Sequence, residues 1–278
     1  MHPAAPLESQ LEAIRVKKLL KTMLLAAAAV AAYAQTPVVS AGGVGNAANG
    51  LGTVTPGSLV SIYGSELAGG LAQADSIPLA ISLNNVSVTF NGVPAPLLFV
   101  SGGQINAQLP WNILSSGTVG TASVVVTRNN QPSAAQSLQV GPFSPGIFAI
   151  GNIAVAINPD GSIAAPPGSI PGIATKPAKI GDPGGLIILC TGLGAVSPPA
   201  VNGAASLDAL RTATTWPTVL IGGKAAQVVF AGLSPQFVGV NQINVAIPAG
   251  TPTGNAVSLQ ISLGNVTTSA DITIAVSQ

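Results

Sequence analysis

The chain has 278 residues, enough for two domains that each bury a core of their own. It is 47% hydrophobic and only 6% charged, with 33 Gly, 23 Pro and a formal net charge of +1. Beyond the N-terminal cations only Arg128, Lys176, Lys179, Arg211 and Lys224 remain, too few and too scattered for the basic face that nucleic acid requires, so that partner is excluded.

The N-terminus has the order of an export signal. Lys17, Lys18 and Lys21 form a basic stretch, Met23 to Ala32 is unbroken apolar sequence, and Ala32-Tyr33-Ala34 is an A-x-A cleavage site. The expectation is a signal peptide over 1–34, cleaved after Ala34 to leave Gln35 first. The apolar run is too short for the ~20 residues of a bilayer span, so the mature chain is expected to carry no transmembrane segment. It is expected to be secreted, extracellular or held at the cell surface. The stretch before Arg15 is long and contains Glu8 and Glu12, which leaves open a start near Val16 instead of Met1. Removing 1–34 deletes His2, the one histidine, and leaves five Lys/Arg against six Asp/Glu.

After Val38-Val39, a short first strand, Thr36 to Gly52 is otherwise Gly-rich loop. Pro56-Gly57 turns into a strand at Ser58 to Tyr63. Ser65 to Ala74 suggests a turn or short helical turn, and Ile77 to Leu83 a connecting strand. Val86 to Trp111 then holds two apolar-rich runs joined at Asn91-Gly92, a pair suited to a hairpin turn in which both central residues need φ > 0. A third run, Gln104 to Leu109, ends at Pro110. Thr121 to Arg128 alternates apolar and polar residues, turns at Asn129-Asn130 and returns through Ser137 to Val140. Short strands with turn signals at this spacing are the pattern of an immunoglobulin-like sandwich.

Gly141 to Pro145 marks a boundary. Gly146 to Ala156 and the turn at Asp160-Gly161 suggest a β-ribbon, and Ala164 to Ala178, rich in Pro and Gly, an exposed connection. Leu186 to Cys190 is a buried strand, and Leu207 to Thr215 suggests a short helical turn. Pro217 to Pro248 then repeats the pattern of Val86 to Trp111: the turn returns as Gly222-Gly223, Phe99 as Phe230, and Gln104-Ile105-Asn106 as Gln242-Ile243-Asn244. Val257 to Leu263 and Ile272 to Val276 close the chain. The fold class is therefore all-β, two immunoglobulin-like β-sandwich domains in tandem from an internal repeat. The expected organisation is signal peptide 1–34, first sandwich 35–141, ribbon and connection 142–180, and second sandwich 181–278.

The ordered motifs PGSLVSIYGSELA, NGVPAPLLFVSGGQINAQLPW, FSPGIF, TGLGAVSPP and VGVNQINVAIPAGTPTGNAVSLQIS resemble a secreted C-terminal β-domain family abundant in Solibacter and other acidobacteria. The resemblance covers about residues 38 to 276. It implies an extracellular module with no assigned biochemical role, and it brings no catalytic residues to carry over. Individual repeats also resemble IPT/TIG modules, on the Gly-turned hairpin and the Pro-ended strand.

The mature inventory limits chemistry. Without histidine, Ser-His-Asp and Cys-His arrangements are absent, and a Ser-Lys pair would have to use Lys176, Lys179 or Lys224. A paired-carboxylate hydrolase would draw on Glu66, Asp75, Asp160, Asp182, Asp208 and Asp271, although Asp160 and Asp182 suit turns and Asp208 a cap. Cys190, the one cysteine, lies in the apolar run LIILC and suits a buried structural thiol better than a reactive one. Asn158 and Asp160 lack the clustered oxygens of a calcium loop, and Gly42-Gly43-Val44-Gly45 lacks the Lys-Ser/Thr of a phosphate loop. Trp111 and Trp216 flank prolines at strand ends, where they either stack on sugars or plug a sandwich end or domain seam; Tyr63 joins them as a sugar-stacking candidate. No catalytic, cofactor-binding or metal residues are assigned and no cofactor is expected. The function read from sequence is an exported non-catalytic β-sandwich protein, structural, adhesive or ligand-binding. The alternative is an accessory carbohydrate-binding protein, and the least favoured reading is a hydrolase. Its partner is unknown, with polysaccharide or another cell-surface protein as candidates.

Overall fold

Turn chemistry decides where this chain doubles back. Asn91 and Gly92 both have positive φ (50° and 79°), as do Gly222 and Gly223 (57° and 77°), the left-handed pair that a tight hairpin matched to strand twist demands. Asn84-Asn85 and Asn129-Asn130 make the same turn without glycine, since asparagine tolerates this region better than other side chains. The computed structural model describes residues 36–114 and 119–278. The signal peptide expected at 1–34 lies outside them. Residues 36–278 form one compact body, with no helix among the described residues.

The first sandwich is built from β1 (Val38–Asn46), β2 (Leu59–Ser65), β3 (Val86–Phe90), β4 (Leu97–Val100), β5 (Gln104–Gln108), β6 (Gly120–Arg128) and β7 (Gln136–Val140). One sheet runs β1-β2-β5-β4 and ends on Ala72–Gln73. The other runs from Thr53–Val54 through β7-β6-β3 to Val93–Pro94. Alternation along each strand sends one set of side chains inward, so Val60, Ile62, Phe90, Ile105, Val124 and Val126 meet at 0% exposure. β1 is longer than the two-residue strand expected from sequence. A register shift between Val39 and Val44 carries Gly42 and Gly43 and lets Val44 to Asn46 rejoin β2, so the glycine run lies within a strand instead of a loop.

The second sandwich uses β8 (Leu186–Thr191), β9 (Thr218–Ile221), β10 (Lys224–Leu233), β11 (Asn241–Ala246), β12 (Gly254–Leu263) and β13 (Thr273–Ser277). Its strands form one continuous hydrogen-bonded path, β13-β12-β9-β10-β11-β8. A single residue type explains the difference from the first sandwich. The ten-residue β10 pairs with β9 through Lys224 to Ala226 and with β11 through Gln227 to Leu233, so it turns the corner between sheets unbroken. The matching stretch of the first sandwich carries Pro94 and Pro96. Proline has no N–H for a ladder, so the strand splits into Val93–Pro94 on one sheet and β4 on the other.

Three expectations fail, each for a physical reason. Ile77 to Leu83 is not a strand. Apart from a bridge between Leu83 and Val86 it is an irregular run, with Ile77 and Ile81 exposed and Pro78 unable to donate. Leu207 to Thr215 contains bends and the short strand Thr212–Ala213 in place of a helical turn, whereas Ser65 to Ala74 takes the turn of its two alternatives, with bends before Ala72–Gln73. Nor is Ala164 to Ala178 a wholly exposed connection: Ala164, Ala165, Ile170 and Ala178 are buried, and Ile147, Ala154, Ala156, Ala164 and Ala178 join the second core. Two-residue strands leave no periodicity to read, and Ile163–Ala164, Thr175–Lys176 and Ala178–Lys179 are all of that length.

Candidate functional site

Every acid among the described residues is engaged locally or stands apart from the others. Glu66 pairs with Arg128 at 2.8 Å. Asp160 accepts from the Ser162 hydroxyl at 2.7 Å and pairs with Lys176 at 2.6 Å; the lysine first, then the serine, hold its carboxyl down at about 2. Asp208 takes both Nη atoms of Arg211, at 2.7 and 2.9 Å, and is likewise lowered to about 2. Asp182 accepts from the Gly184 N–H and Asp271 from the Ser269 hydroxyl, both turn contacts. Asp75 lines an open cavity of about 470 Å³. None of these contacts links one acid to another, and among the described residues no three His, Cys, Asp or Glu side chains gather at a point. Asn158 is buried with its Nδ2 turned to Ser162 Oγ and the Lys176 carbonyl, so it staples the turn that Asp160 caps. Cys190 is fully buried, and burial pushes its thiol pKa above the ordinary range, which withholds the thiolate a nucleophile needs.

The aromatic candidates part company. Trp111 lies over Gly57: a Cβ there would overlap the indole six-membered ring. Its backbone N–H donates to Asn202 Oδ1 at 2.8 Å, and its buried Nε1 has no partner among the described residues. Trp111 therefore plugs the seam between the sandwiches. Trp216 is half exposed just before β9, away from any of these contacts. Tyr63, at 48% exposure, stands near the end of β2 on the outward face of the first sandwich.

The seam is polar. Thr191 Oγ1 accepts from the Leu59 N–H (3.0 Å) and donates to the Gly239 carbonyl (2.7 Å), at zero exposure. Asn46 Nδ2 donates to the Ser144 carbonyl at 2.6 Å, and the Gly203 N–H donates to Gln108 Oε1 at 2.7 Å. The residues between Phe230 and Gln242 that lengthen the second repeat lead into this contact: the Cα of Gly239 packs against the side chain of Leu59. No pattern in the chain announces the seam, since Asn46, Gln108 and Thr191 look like ordinary polar residues of strands.

Outward from the sheets, the repeat becomes geometry. In the first sandwich a bulge at Leu98 brings Phe99 opposite Asn106; in the second a bulge at Val229 brings Phe230 opposite Asn244. Gln104 Nε2 donates to Asn106 Oδ1 at 2.9 Å, and Gln242 Nε2 to Asn244 Oδ1 at 2.8 Å. Both Gln-Ile-Asn strands occupy the middle of matching triplets, β2-β5-β4 and β8-β11-β10. The repeat marks these residues as landmarks; that they share an outward face with Tyr63 is hidden in the sequence, because the bulge shifts strand parity by one residue.

No curated protein matches this chain. Among solved structures, the plexin A4 extracellular region resolved over domains 1 to 8 shares 13% identity at a TM-score of 0.26, covering 90% of this chain and 19% of that one. The same region over domains 1 to 10 gives 12% identity and a TM-score of 0.26, with 90% and 16% covered, so this chain spans under a fifth of either plexin chain. The D00-D0 domain of intimin gives 13% identity and a TM-score of 0.21, with 84% and 98% covered. Residues 52–143, which run from the strand Thr53–Val54 through β7 to the seam, match the model of the IPT/TIG domain, an immunoglobulin-like module.

Proposed function

We propose that the chain is an exported, non-catalytic pair of immunoglobulin-like sandwiches that acts outside the cell or at its surface by presenting a binding face. The observation that carries this reading is the IPT/TIG match over residues 52–143, on a body in which five of the described acids are tied into separate turns and ion pairs and the sixth, Asp75, stands apart from them. Export rests on the basic, apolar, A-x-A order that ends at Ala34. The proposed division is a leader 1–34, a first sandwich 35–141, a strand-bearing connection 142–180 and a second sandwich 181–278. The ordered motif series further supports kinship with the acidobacterial C-terminal family. An accessory carbohydrate-binding role is the second reading, favoured by the exposure of Tyr63 beside two amides.

The test uses the protein recovered from its host. Mass spectrometry should find Gln35 as the first residue, and a broad hydrolase screen should find no turnover while the protein sediments with host cell envelopes. Turnover abolished by replacing any two of the six acids would overturn the reading, as would a protein that binds no envelope component.

A further inference from the structure

The matched outward faces of the two sandwiches differ in a way that points to a ligand. Asn244 sits in a cross-strand row with Ile157, Ile187 and Phe230. Asn106 sits in the equivalent row with Gly45, Ser61, Phe99 and Gln73. Where the second sandwich has isoleucine beside its amide, the first has the buried Ser61 and a Gly45 roofed by the Gly50 and Leu51 carbonyls, so the open part of the first face is Tyr63, Gln104, Asn106 and Phe99. Opposite Gln242 stands Leu189; opposite Gln104 stands Tyr63. The amide pair and the phenylalanine are the same in both, and the neighbours alone have become polar or aromatic.

The first face is also preorganised. Asn106 Oδ1 accepts from Gln104 Nε2 at 2.9 Å and from Ser61 Oγ at 3.0 Å. Two donors on one oxygen fix the plane of the amide. They leave Asn106 Nδ2 and Gln104 Oε1, a donor and an acceptor, without a partner among the described residues. Beyond Phe99 the face runs into the open cavity of about 470 Å³, lined by Gln73, Ala74, Asp75, Ile77, Leu79 and Leu98.

We infer that the outward face of β2, β5 and β4 binds an uncharged polysaccharide. The inference rests on the surface-binding role proposed above and names its ligand. Tyr63 and Phe99 lie two strands and two residues apart, roughly 12 Å from strand spacing and rise. Aromatic rings at the two ends meet the C–H faces of sugar rings, and the fixed amides between them meet hydroxyls. No residue of the two rows carries a charge; Asp75 lies in the cavity, and Glu66, just past the end of β2, is paired with Arg128. An acidic glycan needs cations, and no Lys or Arg stands in these two rows.

The experiment measures retention of the full chain in native gels containing soluble neutral α- and β-glucans or galactomannan, and pull-down on cellulose and chitin. At least one of these probes retains the protein. Tyr63→Ala and Gln104→Ala each weaken that retention about tenfold or more, with melting temperatures close to the parent because Tyr63 is exposed and Gln104 half-buried at the surface. The twin substitution Gln242→Ala leaves it unchanged. Retention on none of the probes overturns the inference, as does retention indifferent to both substitutions, retention only on an acidic polysaccharide, or self-association through this face. Should envelope binding persist in Tyr63→Ala and Gln104→Ala, this ligand assignment falls while the surface-binding function stands; loss of envelope binding in the parent chain would remove the function itself.

Discussion

Arg211 shows how a nearly buried cation is held in a chain this poor in charge. Its side chain is 9% exposed; Nε donates to the Pro199 carbonyl at 3.1 Å and both Nη atoms bind Asp208. The guanidinium holds the Asp208 carboxyl at about 2 in the folded chain, against about 3.9 unfolded. A lowered folded value means the contribution is complete above about pH 4 and is lost as the pH falls toward about 2. Asp208→Asn should therefore lower the melting temperature at pH 7 and converge with the parent near pH 2. Melting curves across that range check it, and a constant difference at every pH would refute the assignment. The Asp160 carboxyl, lowered by Lys176, titrates in the same window, and that ion pair is half exposed on both sides. Asp208→Asn leaves that pair in place, so the difference between the two sets of melting curves reports the Arg211 contact, which screening of the exposed Asp208 keeps small.

The hairpins show at the level of elements which parts of the fold a sequence can announce. Asn91-Gly92 and Gly222-Gly223 are legible because positive φ excludes most residues, and the strands they join follow from apolar runs on either side. The corner is not legible: whether a strand turns from one sheet to the other depends on how Pro94 and Pro96 meet a partner strand far away in sequence. The buried pieces within 142–180 escape notice because two residues carry no period, and Ile77 to Leu83 has a strand-like composition that an irregular loop shares. The candidate face is half legible, with Tyr63 flagged as an aromatic and the Gln-Ile-Asn repeat evident, but its parity is set by the bulges. The two hairpins also predict unequal tolerance. A Cβ at Gly92 meets nothing within 4 Å, whereas one at Gly222 comes within 2.7 Å of Pro252 Cδ and 3.0 Å of Val257 Cγ1. Gly92→Val should cost about 1–2 kcal/mol, the penalty of a left-handed L-residue, and Gly222→Val measurably more. Denaturant titration of both variants decides it; equal losses would show that backbone strain alone governs the turns.

Across the whole molecule, the seam makes tandem sandwiches into one body. Thr191 Oγ1 is its central donor and acceptor, and valine has nearly the shape of threonine without the hydroxyl. Thr191→Val leaves the Leu59 N–H and the Gly239 carbonyl buried and unpaired, each costing about 1–3 kcal/mol. The expected outcome is a loss of stability of at least that order together with a broadened or divided unfolding transition, read by calorimetry. A sharp transition at the parent temperature would mean that the sandwiches hold together by their apolar contacts alone.

Gly239 reaches Leu59 and Thr191 because the second repeat places more residues between its Phe and its Gln than the first does. That connection lies outside both cores, where insertions and deletions are tolerated most readily. Its length thus acts as a stiffness setting for the tandem. With six residues from Ser234 to Gly239 the loop adds a brace to the contacts that Gln108 and Trp111 make across the seam; a chain with the shorter loop of the first repeat would keep both sandwiches and lose that brace, and the Tyr63 face would be held less stiffly against the rest of the molecule.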